Sequence, residues 1–214
     1  MKKIAFLMLP FLFLAIQSNA QVSFSQVSFE GEQLRTIPRL SWNIPIEKKI
    51  ATKKNIVFAI GGTFKNLGFI YEKNGNRLKH RNLSIGPSAG VYFLMGKKLV
   101  MGLGGSVDYN FHYKHKIFPD GQRSDKQIVH REWFSDRVNA FNFIPRFTIG
   151  VKEGLMVYGE YFLSDMFNKN YVNAAGEKPY EGYEITRFNI GFSTELSGKF
   201  DSNEEIIKDA DLSL

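Results

Sequence analysis

The chain of 214 residues contains no cysteine, which excludes disulfides, thiolate metal ligands and cysteine nucleophiles. After the apolar run from Ile4 to Ile16 it also lacks any stretch approaching the ~20 apolar residues that a membrane-spanning helix needs. The mean hydropathy is only −0.21. A helical membrane protein with several spans is therefore excluded. A membrane β-barrel is not, because its spanning strands are short and half polar.

A secretory signal peptide is predicted over residues 1–20. The start Met1-Lys2-Lys3 is positively charged, the apolar run after it is too short to span a membrane, and Ala20 supplies a small residue before a cleavage site. We expect a mature strand-rich region at 21–200 and an acidic periplasmic tail at 201–214. The charge and length of that tail favour disorder.

The formal net charge of the chain is +7, and two of its positive charges, Lys2 and Lys3, lie in the predicted signal peptide. A basic protein can suggest nucleic acid as its partner, but an exported chain rarely meets nucleic acid. Outer-membrane lipids, and anionic lipopolysaccharide above all, are the nearer partners.

The informative pattern is alternation of apolar and polar residues. From Leu99 to Tyr113 the odd positions are mostly apolar and the even positions are mostly small or polar. Successive side chains of a strand point to opposite faces, so this segment predicts one long strand with one apolar face. The same period occurs at 22–29, 39–46, 56–65, 83–95, 141–150, 155–164 and 187–196. In the first of these, Ser25-Gln26 breaks the alternation and predicts a bulge.

Eight such strands predict an all-β fold, an eight-stranded antiparallel up-and-down transmembrane β-barrel. The connections sort by length as such a barrel requires. Short ones at 96–98 and 152–154, and a somewhat longer one at 47–54, are expected on the periplasmic side. Long connections at 71–82, 115–131 and 168–183 are expected outside, together with a brief first one at 30–33.

Charged residues on the polar faces of these strands indicate that the polar face lines the interior of the barrel and the apolar face lies outside. They would disrupt the apolar cavity of a soluble lipocalin-like binder, but they suit a polar lumen. An eight-stranded barrel is just wide enough for its own side chains to fill the interior, so we expect these charges to pair across a plugged lumen. The predicted lumen charge network comprises Arg35, Arg39, Lys65, Asp108, Arg146, Glu160, Arg187 and Glu195.

The chain resembles the small outer-membrane β-barrel proteins of the OmpA-transmembrane and OmpX type over about residues 21–200. The resemblance rests on the signal peptide, the alternation and aromatic strand ends such as Tyr109, Phe111, Tyr113, Trp133, Phe134, Tyr161 and Phe167. It implies a location in the cell outer membrane, recognition by the outer-membrane insertion machinery and no cofactor. Members usually end on an aromatic residue, whereas Phe200 here is followed by the acidic tail, so the insertion signal is expected to be internal.

The four histidines do not predict a metal site. Alternation places His112 on the polar face of its strand and His115 on the apolar face, so the two do not form a ready clamp. His80 and His130 fall in the neighbouring predicted loops. Solvated histidines at loop ends account for these positions equally well.

A barrel enzyme that modifies lipid A is an open alternative. Such enzymes place a histidine, a serine and a carboxylate close together near the outer leaflet, and the local His-x-Ser signal is absent at His112. A noncontiguous set of His130, Ser135 and Asp136 stays possible on sequence grounds.

Basic residues of the predicted outer loops are the remaining lead, as contacts for lipopolysaccharide phosphates. They are Lys73, Arg77, Lys79, Arg81, Lys114, Lys116, Arg123, Lys126 and Arg131. The leading functional hypothesis is a non-enzymatic barrel that serves envelope structure or surface interaction, or that forms the membrane component of an assembly with a periplasmic or surface protein partner. A narrow channel and a soluble periplasmic binder are further alternatives.

Overall fold

The computed structural model describes residues 19–53, 55–96, 98–119, 128–152 and 154–194. These residues form β-strands joined by turns, by a segment at 134–140 and by a longer one at 162–182. The strands are β1 (Asn19–Phe29), β2 (Glu32–Ile37), β3 (Arg39–Lys53), β4 (Ile56–Lys73), β5 (Asn76–Met95), β6 (Leu99–Phe118), β7 (Ile128–Trp133), β8 (Phe141–Val151), β9 (Leu155–Tyr161) and β10 (Tyr183–Thr194).

All strand pairings are antiparallel, and β1 pairs with β10 to close the sheet into a ring. Two wall positions are each occupied by two consecutive strands. β2 and β3 are separated by Pro38, which has no N–H to donate to the ladder, and β7 and β8 pair with successive parts of β6. The ring therefore has eight wall strands, and the predicted eight-stranded antiparallel barrel is confirmed.

The bulge predicted at Ser25-Gln26 is wrong. β1 pairs with β10 without a register shift from Gln21 opposite Gly191 to Phe29 opposite Tyr183. The alternation in the sequence breaks because the interior that the inward residues face is polar in the lumen and apolar at the outer end. Polar residues occupy the inward face in the lumen, and an apolar residue occupies it where the strand reaches the outer end.

The predicted long connection at 71–82 is also wrong, because β4 and β5 continue through it to a tight hairpin turn at Asn74-Gly75. Both turn residues have positive φ, 51° and 73°. Asn-Gly is the preferred pair for such a turn, because glycine has no Cβ and asparagine tolerates this backbone conformation. Strands likewise replace part of the connection predicted at 115–131 and most of the one predicted at 47–54.

A bulge at Phe111 reverses the facing of the outer part of β6. Leu83 pairs with His112 and the next residue, Ser84, pairs with Asn110, so one residue of β6 is extra. Beyond the bulge the odd residues face inward and the even residues face outward. The predicted facing of His112 and His115 is therefore reversed.

The barrel is polar inside and apolar outside. Its outward residues form a continuous apolar belt that includes Leu40, Ile46, Ile60, Ile85, Leu103, Phe143, Phe147 and Phe192. Its buried inward residues include Asn43, Thr63, Lys65, Asp108, Asn142, Glu160, Arg187 and Asn189. A lipocalin-like binder would require the opposite arrangement, so the fold is that of a small outer-membrane β-barrel.

Three neighbouring strands rise well beyond this belt. β4 has 18 residues and β5 and β6 have 20 each, whereas a membrane-spanning strand needs only ~9–11. Their excess length, residues 67–73, 76–83 and 112–118, forms with β7 a wall outside the membrane, here called the extension. At the opposite end the connections β3–β4, β5–β6 and β8–β9 are all short, as expected of a periplasmic end.

The outer end of the lumen is closed by an apolar cluster. The segment 162–182, here called the cap, folds over this end and buries Met166, Phe167 and Tyr180. They pack with Val27, Phe69, Tyr71, Tyr113, Val138, Tyr183 and Ile185. Backbone bonds tie the cap to the chain before β8: Asn139 N–H donates to Met166 O, and Asn168 N–H donates to Arg137 O.

Candidate functional site

The lumen holds a buried ion network at mid-barrel. Lys65 Nζ lies 3.3 Å from Asp108 Oδ2 and 3.1 Å from Glu160 Oε1. Arg146 Nη2 lies 2.8 Å from the same Glu160 oxygen. The structure therefore brings four of the predicted lumen charges together as two cations between two carboxylates. This arrangement offsets part of the cost of burying each charge.

Glu47 also belongs to this network, although the sequence pattern placed it in an inner connection. Its carboxylate accepts a hydrogen bond from Ser88 (3.1 Å) and lies 3.7 Å from Arg146 Nη1. Because β3 continues to Lys53, Glu47 occupies an inward position of a strand. The alternation of Asn43, Pro45 and Glu47 was the available signal.

The other predicted lumen charges have different surroundings. Arg187 is buried, donates to Asn142 Oδ1 (3.1 Å), and lies over the ring of Phe162 at 4.3 Å. Arg39 is buried beside Asn66, to which it donates two hydrogen bonds. Glu195 lies outside the described residues.

The prediction that Arg35 belongs to the lumen charge network is wrong, because its side chain is 80% exposed and pairs with Glu72 at 3.3 Å. β2 lies in the outer part of the wall, opposite the end of β4, so this position is above the lumen.

Aromatic side chains border the apolar belt at its outer edge. Trp42 packs on Phe64 (ring centroids 5.1 Å apart), Phe64 on Phe111 (6.0 Å), and Phe111 on Trp133 (6.0 Å). Indole and phenyl rings at such a border are typical of the interface between hydrocarbon and headgroups. This girdle indicates where the outer headgroups begin.

Directly above the girdle, five basic side chains share the outward surface of the extension. Arg81 pairs with Lys114 and Lys114 with Arg131, while Lys79 pairs with Lys116 in the next row outward. His80 and Asn82 are buried on the opposite face, so the odd residues of β5 face outward. We call Lys79, Arg81, Lys114, Lys116 and Arg131 the basic face.

The remaining predicted lipopolysaccharide contacts do not belong to this face. Arg77 forms an ion pair with Glu72 at 3.0 Å. Lys73 Nζ lies 3.0 Å from the centroid of the Phe29 ring, as a cation–π contact. Arg123 and Lys126 lie outside the described residues.

Three histidines form a row across the inward surface of the extension. His80 pairs with His115, and His115 pairs with His130. The ring centroids are 4.2 Å and 6.3 Å apart, and the rings are nearly parallel. His80 Nδ1 lies 2.8 Å from the Tyr113 hydroxyl. The row could not be recognised in the sequence while both connections were interpreted as loops.

The two inner histidines are neutral at neutral pH. Burial lowers the pKa of His80 well below its usual range, and the adjacent His115 lowers it further. Burial, with smaller contributions from His130 and Arg137, lowers the pKa of His115 to about 4. Within the described chain, Nε2 of each of these two rings is buried without a hydrogen-bond partner.

The residues proposed for a lipid A-modifying site are not joined by any described contact. The Ser135 hydroxyl donates to the Glu132 carboxylate, and Glu132 also forms an ion pair with Arg137 at 2.9 Å. Among the described side chains, no group of three or more His, Asp or Glu residues is arranged to hold a metal ion.

No helix within the described ranges is long and apolar enough to cross a membrane.

Comparisons with known proteins gave structural matches alone. No family model and no curated protein matches the chain. This chain is similar in structure to Ail, the attachment invasion locus protein of Yersinia pestis. The TM-score is 0.40 at 12% identity for Ail in complex with the heparin analogue sucrose octasulfate, and 0.37 at 11% identity for Ail without it. Each match covers 83% of this chain and 96% of Ail. The NanC porin is similar at a TM-score of 0.20 and 10% identity, over 83% of this chain and 100% of the porin. At these TM-scores the assignment of the fold rests on the strand pairing itself.

Proposed function

We propose that the protein is a non-enzymatic integral barrel of the cell outer membrane that binds lipopolysaccharide through its basic face and thereby serves envelope structure. The observation that supports this most directly is the position of the basic face, immediately above the aromatic girdle. At that height the wall meets the phosphates of the outer leaflet rather than bulk solvent.

The pairing within the basic face supports an anionic ligand. Arg81 with Lys114, Lys114 with Arg131, and Lys79 with Lys116 are placed directly opposite each other, which concentrates positive charge on one surface. A phosphate at this surface can accept charge-assisted hydrogen bonds from two such side chains, with arginine able to bind two oxygens at once. Lipid A phosphates have this chemistry and this depth.

Membrane residence is tested by the gel migration of the native protein from the outer-membrane fraction. We expect faster migration of unboiled than of boiled samples, because a closed barrel resists unfolding in detergent, and retention in the pellet after a carbonate wash. Equal migration together with release into the wash would contradict the proposal and favour the soluble binder.

Binding to lipopolysaccharide is tested with the triple substitution R81Q/K114Q/R131Q. We expect its affinity for purified lipid A to fall at least tenfold, because losing ~1.4 kcal/mol of interaction already gives that factor. The two tryptophans of the chain, Trp42 and Trp133, both lie in the girdle, so their fluorescence reports binding next to the substituted residues.

The matched control removes three lysines near the periplasmic end, as K48Q/K98Q/K152Q. It changes the net charge equally, so its affinity is expected to stay within twofold of the native value. Equal losses in both variants would show that binding follows net charge alone and would contradict a role for the basic face.

A further inference from the structure

The histidine row connects the extension to the cap. His80 is stacked on His115 at 4.2 Å and meets the edge of Phe167, a cap residue, at 4.9 Å. The charge of Arg137 acts on His115, and the Arg137 carbonyl accepts the backbone bond from Asn168 of the cap. A charge that appears on His115 therefore acts on two contacts of the cap, the packing of Phe167 on His80 and the backbone bond from Asn168 to Arg137.

The groups around the row offer little compensation for such a charge. β4 contributes Tyr71, β6 Tyr113, β7 His130 and Glu132, the chain before β8 Arg137, the cap Tyr180, and β10 Tyr183. Glu132 is the one carboxylate in this described set, and it is already paired with Arg137. Protonated His115 would therefore lie between a neutral aromatic cluster and positive neighbours.

We propose that the histidine row is an acid-responsive latch: protonation of His115 breaks its packing on His80, repels Arg137 and releases the cap from the outer end of the lumen. The membrane-spanning ladder does not contact the row and stays closed. At neutral pH the stacked neutral rings hold the cap in place.

The sign and size of the response follow from proton linkage. The pKa of His115 is about 4 with the cap closed and near its ordinary value of 6.5 once the ring is exposed. The open state then binds more protons, so the closed state loses stability as the pH falls from 6.5 towards 4. Between pH 7.5 and 4.5 the open population is expected to increase about 70-fold.

Hydrogen–deuterium exchange of the full barrel in lipid nanodiscs measures this opening. After correction for the intrinsic pH dependence of exchange, amides of residues 162–182 are expected to exchange about 70-fold faster at pH 4.5 than at pH 7.5. The Asn168 amide is the most direct reporter. Amides of β6 within the apolar belt, at 99–109, are expected to stay unchanged.

The substitution His115→Phe keeps an aromatic ring in the stack but cannot take a proton, and we expect its response to fall below that of the native chain, with His80 as the remaining buried histidine of the row. His115→Gln serves the same purpose if the phenylalanine variant does not fold. His112→Phe is the matched control on the same strand, facing outward against Trp133, and is expected to keep the full response. A native response below threefold, a full response in the His115 variants, or its loss in His112→Phe would overturn the proposal.

Discussion

Replacing Lys65 by methionine is expected to lower the free energy of unfolding by about 3–5 kcal/mol, the usual cost of removing one partner from a buried ion pair. Lys65 is fully buried and contacts Asp108, Glu160 and the Ser106 hydroxyl (2.9 Å). Without the ammonium, two buried carboxylates face each other with Arg146 as their main remaining cation. The midpoint of urea unfolding of the refolded barrel measures the loss.

Two further variants test whether the loss comes from the buried ion network. Lys169→Met removes an exposed ion pair with Asp165 (3.1 Å), and solvent screening limits its effect to about 0.5 kcal/mol. Adding Asp108→Asn to Lys65→Met removes the carboxylate whose described ion pair is with Lys65, while Glu160 keeps Arg146, and is expected to restore part of the stability. A loss for Lys65→Met no larger than that for Lys169→Met would contradict the network described here.

Substituting Gly61 by alanine is expected to have the second large effect. A Cβ at this position would lie 2.0 Å from the backbone oxygen of Ile46, so β3 and β4 would have to move apart. Forcing an added methyl group into a closely packed site typically costs about 1–3 kcal/mol, and here the obstacle is backbone rather than a flexible side chain. We expect a lower folded fraction in unboiled gel samples and a lower urea midpoint.

The next residue is a matched control. A Cβ on Gly62 would have its nearest neighbour, the oxygen of Gly86, at 3.4 Å, which is ordinary van der Waals contact. Gly62→Ala should therefore fold nearly as well as the native chain. Similar losses at both positions would mean that glycine is needed there for its backbone freedom and not for close approach of the strands.

The membrane-spanning part of the fold could be predicted from the sequence because one physical requirement acts along its whole length. Lipid on one face and a polar lumen on the other impose a period of two, as from Leu99 to Asp108. The same requirement is sufficient to place Lys65 and Glu160 inside the barrel from their positions in the alternation.

Above the membrane that requirement ends, and the prediction failed there. The surroundings outside the extension are polar and an apolar cluster lies inside it, so charged residues such as Lys79 and Lys116 alternate with His80 and His115. A composition of this kind is typical of a loop. The Asn74-Gly75 pair was the local signal for a hairpin, and it would have extended both strands.

The bulge at Phe111 could not be predicted from alternation, because a single extra residue leaves the composition unchanged while it exchanges the two faces beyond it. It moves Lys114 and Lys116 to the outside and His115 to the inside. The basic face and the histidine row therefore both depend on this one irregularity, and neither could be placed without it.

The pairing of β1 with β10 has a consequence for how the protein reaches its folded state. Gln21 must find Gly191, so the last contact to form joins the most distant described parts of the chain. Contacts of such long range form slowly, and until they do both end strands present unpaired edges that can capture other chains. In an unfinished chain β1 can pair with β2 and β3 but its other edge has no partner, so the ring cannot close until the chain has been synthesised as far as β10.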